Sequence, residues 1–97
     1  MNVSPVTMDR QILKVAHDSK ASRVAGAIAG ALKQTGIAEL QAINERAIHA
    51  AVRAVAIASK FPDLAELDPV CRVELDVVDL SGCLEQVVKL IVTPKSR

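Results

Sequence analysis

Two long runs rich in β-forming side chains, Val70–Leu80 and Cys83–Thr93, flank the dipeptide Ser81-Gly82. That arrangement predicts a β-hairpin closed by a two-residue turn, and the register can be tested from the residues alone. If Leu80 faces Cys83, then Cys71, Val73, Leu75 and Val77 share a face with Val92, Leu90, Val88 and Gln86, and only the glutamine breaks an apolar surface. On the opposite face the same register sets Glu74 against Lys89, a favourable cross-strand pair. It also holds Cys71 about nine residues, or roughly 30 Å, from Cys83 along the strands. No intrachain disulfide spans that distance, and both cysteines are expected to be buried, reduced thiols.

Upstream of the hairpin the apolar period changes twice. Residues 11–16 read as a short buried strand, followed by the polar loop His17-Asp18-Ser19-Lys20. From 22 to 35 the period is helical, with Val24, Ile28, Ala31, Leu32 and Thr35 on one face and Gly36 in the usual stopping place. Residues 38–43 read as a second strand, and Asn44 is a good N-cap for a helix reaching about Lys60. Strand, helix, strand implies a right-handed parallel crossover. The expected architecture is α/β, an α+β sandwich of order β-α-β-α-β-β, with a four-stranded mixed sheet and two helices on one face. In a chain of 97 residues this amounts to one domain over 10–97 with a flexible tail at 1–9.

Hydrophobic residues make up 51% of the chain, yet Phe61 is the only aromatic. The core must therefore be built from small and branched aliphatic side chains, which bring backbones close and favour burial against a second copy. At least a homodimer, or a homotetramer, is expected. No stretch approaches the roughly 18 uninterrupted apolar residues of a membrane span, because His49 and Arg53 interrupt the alanine-rich run at 47–58. The opening residues lack the cationic start and apolar run of a secretory signal. A cytoplasmic, soluble protein without membrane association is expected.

Charge is unevenly spread. Between positions 10 and 60 there are eight basic residues against three acids, a balance of +5, whereas positions 61–86 hold seven acids against Arg72, a balance of −6. A polyanion, if one is bound, is held by the first half. Three groups of residues on the helices and the first loop are candidates for that or for assembly. On the second helix, Ile48, Ala51, Val52, Val55 and Ser59 form the stripe expected to cover the sheet. Beside it, Ala47, Ala50, Ala54 and Ala58 form a strip of small residues suited to a subunit contact. The remaining face carries Arg46, His49, Arg53 and Lys60, a ridge able to meet successive phosphates. On the first helix, Gly26 and Gly30 lie opposite the apolar stripe, where each costs roughly 1 kcal/mol relative to alanine, so a close approach by another subunit or a nucleic-acid backbone is expected. Arg23 and Lys33 flank them. Lys20, in the loop before that helix, stands where free backbone N–H groups favour an anion.

Several runs together resemble a known family. Ile12-Leu13-Lys14-Val15 followed by Ser22-Arg23-Val24-Ala25-Gly26-Ala27-Ile28-Ala29-Gly30 is similar to the N-terminal signature of the stage V sporulation protein S family. Glu39-Leu40-Gln41-Ala42-Ile43, Ala51-Val52-Arg53-Ala54-Val55-Ala56-Ile57-Ala58 and Lys89-Leu90-Ile91-Val92-Thr93-Pro94 extend the likeness over residues 11–95. That family is linked to sporulation and septation, and its fold is related to Alba, the archaeal chromatin protein. The resemblance implies an Alba-like dimer that binds DNA or RNA. Lys20 takes the place of Alba's basic loop residues, Arg46-Ala47-Ile48 looks like the start of Alba's second helix, and Phe61 resembles a phenylalanine used where Alba dimers meet. Two features depart from these patterns. Asn44-Glu45-Arg46 stands where the sporulation family has a glycine-rich turn, and the hairpin carries Glu74, Asp76, Asp79 and Glu85 where Alba's arms are basic. Those charges and the short turn argue against an arm gripping a DNA groove.

Two functions from different classes follow. The first is a nucleic-acid-binding regulator, nucleoid-associated in the cytoplasm, whose phosphate contacts are Lys14, Lys20, Arg23, Arg46, His49 and Arg53. Its binding is expected to be weak, salt-sensitive and largely non-specific, since no aromatic side chains are available to stack bases. The second is a self-associating interaction module acting in development or septation without nucleic acid, with contacts through Gly26, Gly30, the alanine strip and Phe61. His17 and His49 are isolated, no metal-ligand spacing occurs, and no glycine-rich phosphate loop is present. No enzymatic activity, cofactor, metal or small-molecule substrate is expected.

Overall fold

The structure is a computed structural model that describes residues 12–95; the tail expected at 1–9 lies outside the described residues. Its elements are β1 (Ile12–Val15), α1 (Ala21–Thr35), β2 (Ala38–Ala42), α2 (Glu45–Ala58), α3 (Pro62–Ala65), β3 (Val70–Leu80) and β4 (Cys83–Thr93). The strands lie in the order β1-β2-β4-β3. β1 and β2 are parallel, while β4 runs antiparallel to both β2 and β3. The two long helices pack on each other and so share one face of this mixed sheet. The expected architecture is the one observed, with the addition of α3, a single turn started by a proline at its first position. Leu64 is fully buried and pins that turn to the body.

Local chemistry explains the boundaries. Gly36 ends α1 with φ 82°, its N–H donating to the Leu32 carbonyl. Asn44 begins α2, its Oδ1 accepting from the Ala47 N–H at 2.8 Å. At the hairpin tip Ser81 and Gly82 both have positive φ, 55° and 86°, the twist that a tight two-residue turn requires. Asp79 Oδ1 accepts the Gly82 N–H there at 2.9 Å. The hairpin register is the expected one along its whole length, from Val70 opposite Thr93 to Leu80 opposite Cys83.

The core lies between the helices and β1, β2 and β4. Val15, Leu40, Leu90 and Val92 meet Ile28, Leu32 and the buried alanines of both helices. Here the expected role of α2 changes. Ala47, Ala50, Ala54 and Ala58 are buried inside the chain, whereas Val52 points to solvent. The helix is rotated so that its alanine strip turns inward, because α1 packs closely beside it and only small side chains fit in that space. These four alanines are internal packing and not a subunit contact.

The helix layer stops short of β3. Val73, Leu75 and Val77 share a face with the core residues Leu90 and Val88, as expected, yet they are 64%, 66% and 53% exposed, and Leu84 on the same face is 73% exposed. Cys71 and Cys83 are likewise exposed free thiols, which corrects their expected burial; Cys71 lies on the helix side of β3, beyond the reach of the two helices, and Cys83 stands beside the turn on the opposite face of the sheet.

On the other face of the sheet Glu74 does lie opposite Lys89, but the ionic partners differ from the expectation. Lys89 Nζ sits 3.0 Å from Glu39 Oε2 and 3.5 Å from Asp76, while Glu74 meets Arg72 at 2.9 Å. Glu39 is almost wholly buried, and its carboxylate, hydrogen-bonded to the ammonium, holds Lys89 above the usual lysine range. A neighbouring strand supplied a better-desolvated partner than the residue directly opposite.

Candidate nucleic-acid interface

Because β1 and β2 are parallel and adjacent, with Val15 beside Ala42, the loops at their carboxyl ends emerge side by side. Crevices of this kind, outside the carboxyl ends of parallel strands, are where open α/β sheets bind ligands. The loop after β1 is a compact turn in which the Ser19 N–H donates to the Ala16 carbonyl at 3.0 Å, and Ser19 Oγ accepts from the Ala16 N–H at 2.9 Å. It delivers the chain to α1, whose first turn carries no acid. The loop after β2 is the Asn44 cap, which fixes the start of α2. Arg46, His49 and Arg53 follow on its outer side.

These two segments enclose a cleft of about 530 Å³. His17, Asp18 and Ser19 form its loop wall, and Arg46, His49 and Arg53 form its helix wall. Two guanidinium groups and two imidazoles thus face one concavity that holds a single carboxylate, Asp18. Among the described residues, neither Arg46 nor Arg53 has an ion-pair partner, nor do Lys14, Lys20 and Arg23. Their charge is available to a ligand.

The structure brings together only part of the expected set. Arg46, His49 and Arg53 converge; Lys20 and Arg23 are exposed at the entry to α1 without lining the cleft, and Lys14 opens on a different cleft. His17 was expected to be isolated, and it stands opposite His49 in the same concavity. Its only sequence signal was the parallel crossover, which sets both loops at one end of the sheet. Lys33, a flank of the first-helix glycines, is engaged elsewhere, donating to Asp63 at 2.6 Å. That contact holds the Asp63 carboxyl below its usual range.

Of the residues assigned to assembly, Gly26 is exposed and Gly30 half-buried, with no atom of another element within 4 Å of where a Cβ would stand. Phe61 is half-buried and packs against the core. Among the described residues, no group of three or more His, Cys, Asp or Glu side chains is placed to hold a metal. No helix among them is long and apolar enough to cross a membrane.

A four-stranded mixed sheet backed by two helices, in the order β-α-β-α-β-β, defines an Alba-like domain. The structure of Alba from Thermoplasma volcanium matches it with a TM-score of 0.56 over 86% of this chain and 99% of that chain, at 12% identity. At such identity the likeness is one of fold. The chain belongs to the stage V sporulation protein S family, whose model matches residues 11–95.

Proposed function

We propose that this protein binds nucleic acid through the cationic cleft between the first loop and α2, as a regulatory protein of the sporulation type. The observation that supports the reading is the convergence of Arg46, Arg53, His17 and His49 on one concavity, with neither arginine ion-paired among the described residues. Lys20 and Arg23 extend the positive surface from its rim, while the acidic hairpin lies outside it. The cations meet phosphates and release counterions, so affinity follows the salt concentration and carries little sequence preference.

Fluorescence anisotropy with a short labelled duplex at low salt tests this. Binding should weaken steeply as salt rises, and Arg46→Ala should lower the slope of log K against log salt by about 0.9, the value for one phosphate contact. Binding that ignores both salt and Arg46→Glu would refute the reading.

A second reading has its own observation, the uncovered apolar flank of β3. A continuous exposed surface of Val73, Leu75 and Val77 on the edge strand β3, with Leu84 beside them on β4, suits self-association, since apolar patches and open strand edges are covered in stable proteins. An antiparallel two-fold about Val73 would set each Arg72 opposite the partner's Glu74, a self-complementary register. Light scattering on Leu75→Glu should show a smaller assembly than the parent; equal masses would set this surface aside.

A further inference from the structure

We infer that the site holds one unpaired nucleotide, its phosphate in the cationic cleft and its base in a second cleft on the other side of His17. This rests on the proposed nucleic-acid reading and specifies its ligand. The second cleft, of about 450 Å³, shares His17 with the first, so the two concavities meet at that side chain. Both volumes fall in the range of ordinary ligand sites.

The chemistry of the second cleft differs from that of the first. Ile43, Val78, Leu80 and Val87 give it aliphatic walls, which favour a flat heterocycle and oppose a second phosphate. Its polar groups are mixed in sign and in hydrogen-bonding sense. Lys14 and Gln41 are neighbours across β1 and β2, and Asn44 and Asp79 stand with them. Asn44 Oδ1 is occupied by the α2 cap, which leaves its NH₂ to donate, and Asp79 Oδ1 is occupied by the Gly82 N–H, which leaves its second oxygen to accept. Gln41 makes no side-chain hydrogen bond among the described residues and offers both functions. Donors and acceptors around apolar walls are what the edge of a nucleobase requires. Asp79 offsets Lys14 in this cleft, whereas Arg46 and Arg53 outnumber Asp18 in the first, so the two clefts sort the two ends of one nucleotide.

A base in that cleft must have left its stack, so single strands are the preferred form. Aliphatic walls desolvate a base without stacking on it, and any preference among bases must come from Gln41, Asn44 and Asp79 at its edge.

The test is an amide-resolved NMR titration of the full chain with a nucleoside monophosphate and, separately, with inorganic phosphate. The monophosphate should shift Gln41, Asn44 and the strand at Val78–Leu80 together with His17 and His49; phosphate should shift the loop and α2 alone. Gln41→Ala should weaken the monophosphate by about three- to tenfold, the effect of one lost hydrogen bond, and leave phosphate unchanged. Val78→Glu, on a solvent-facing strand, should block the monophosphate, with retained amide dispersion showing that the variant is folded. A single-stranded oligonucleotide should bind roughly tenfold or more tightly than the same length of duplex, given the cost of unstacking. If the monophosphate perturbs only the cationic cleft, or both variants bind it as the parent does, the base cleft is refuted while the salt-dependent duplex binding stands. If neither small ligand shifts the protein and no strand binds, both readings fail together.

Discussion

Replacing Gly26 and Gly30 together by alanine probes the outer surface of α1. Both glycines lie within the regular helix Ala21–Thr35, and a Cβ added at either meets no other element within 4 Å. Neither has a positive φ that an alanine would strain. Nothing among the described residues therefore requires glycine, and each replacement removes backbone freedom from the unfolded state. At about 0.5–1 kcal/mol for each site, the pair should gain about 1–2 kcal/mol. For a domain of this size that corresponds to a rise in Tm of roughly 4–16 °C. Thermal denaturation followed by circular dichroism at several protein concentrations measures it. A gain independent of concentration is expected if the surface is bare. A fall in Tm, or a loss of the concentration dependence seen in the parent, would refute the reasoning by showing that a second molecule approaches closely enough to exclude two methyl groups.

Ile28 is fully enclosed between helix and sheet, so Ile28→Ala should cost about 2–5 kcal/mol, read as a lower urea midpoint at unchanged m. Both cysteines should react with a thiol reagent in the folded protein, and Cys71, whose thiol is pushed up by desolvation, should react more slowly at neutral pH than an unhindered model thiol; protection of both until unfolding would contradict the exposed hairpin. Lys89→Met should destabilise the fold. Because Lys89 titrates above its usual value, its contribution is complete below about pH 10.4, the ordinary lysine value, and fades as pH rises through the raised one. The difference between parent and variant should therefore be flat from pH 6 to 9 and shrink at higher pH.

The parts of the fold that were legible in the sequence are those decided by local chemistry. Ser81-Gly82 determines the turn, and the turn determines every pair in the hairpin. Gly36 and Asn44 mark a helix end and a helix start in the same way. What was not legible depends on the width of layers and the rotation of helices. Alanine is compatible with any helix flank, so nothing local distinguishes an alanine strip packed on α1 from one facing another subunit. Alternation shows that Val73 and Leu75 share a face with Leu90, but it carries no information on how far the helices extend across that face. Lys89 illustrates the same limit, since its directly opposed residue was evident and the buried carboxylate one strand further was not. In the candidate site the helical spacing of Arg46, His49 and Arg53 was readable, while the opposed loop histidine needed the crossover in three dimensions.

The place of β4 has a further meaning for how the protein is made. It follows every other described strand in the chain, yet in the sheet it lies between β2 and β3. As the chain leaves the ribosome, β1, α1, β2 and α2 emerge with their core incomplete, because Leu90 and Val92 are still to come. β3 emerges next without β4, its partner in the folded sheet. Only the arrival of β4 joins the two halves, so this topology favours a late, concerted closure over stepwise consolidation. A nascent chain halted just before β4 presents an open β2 edge and exposed apolar surface, the features that make incomplete chains prone to aggregate. The acids of β3 then serve the unpaired strand, keeping it from stacking on others while it waits.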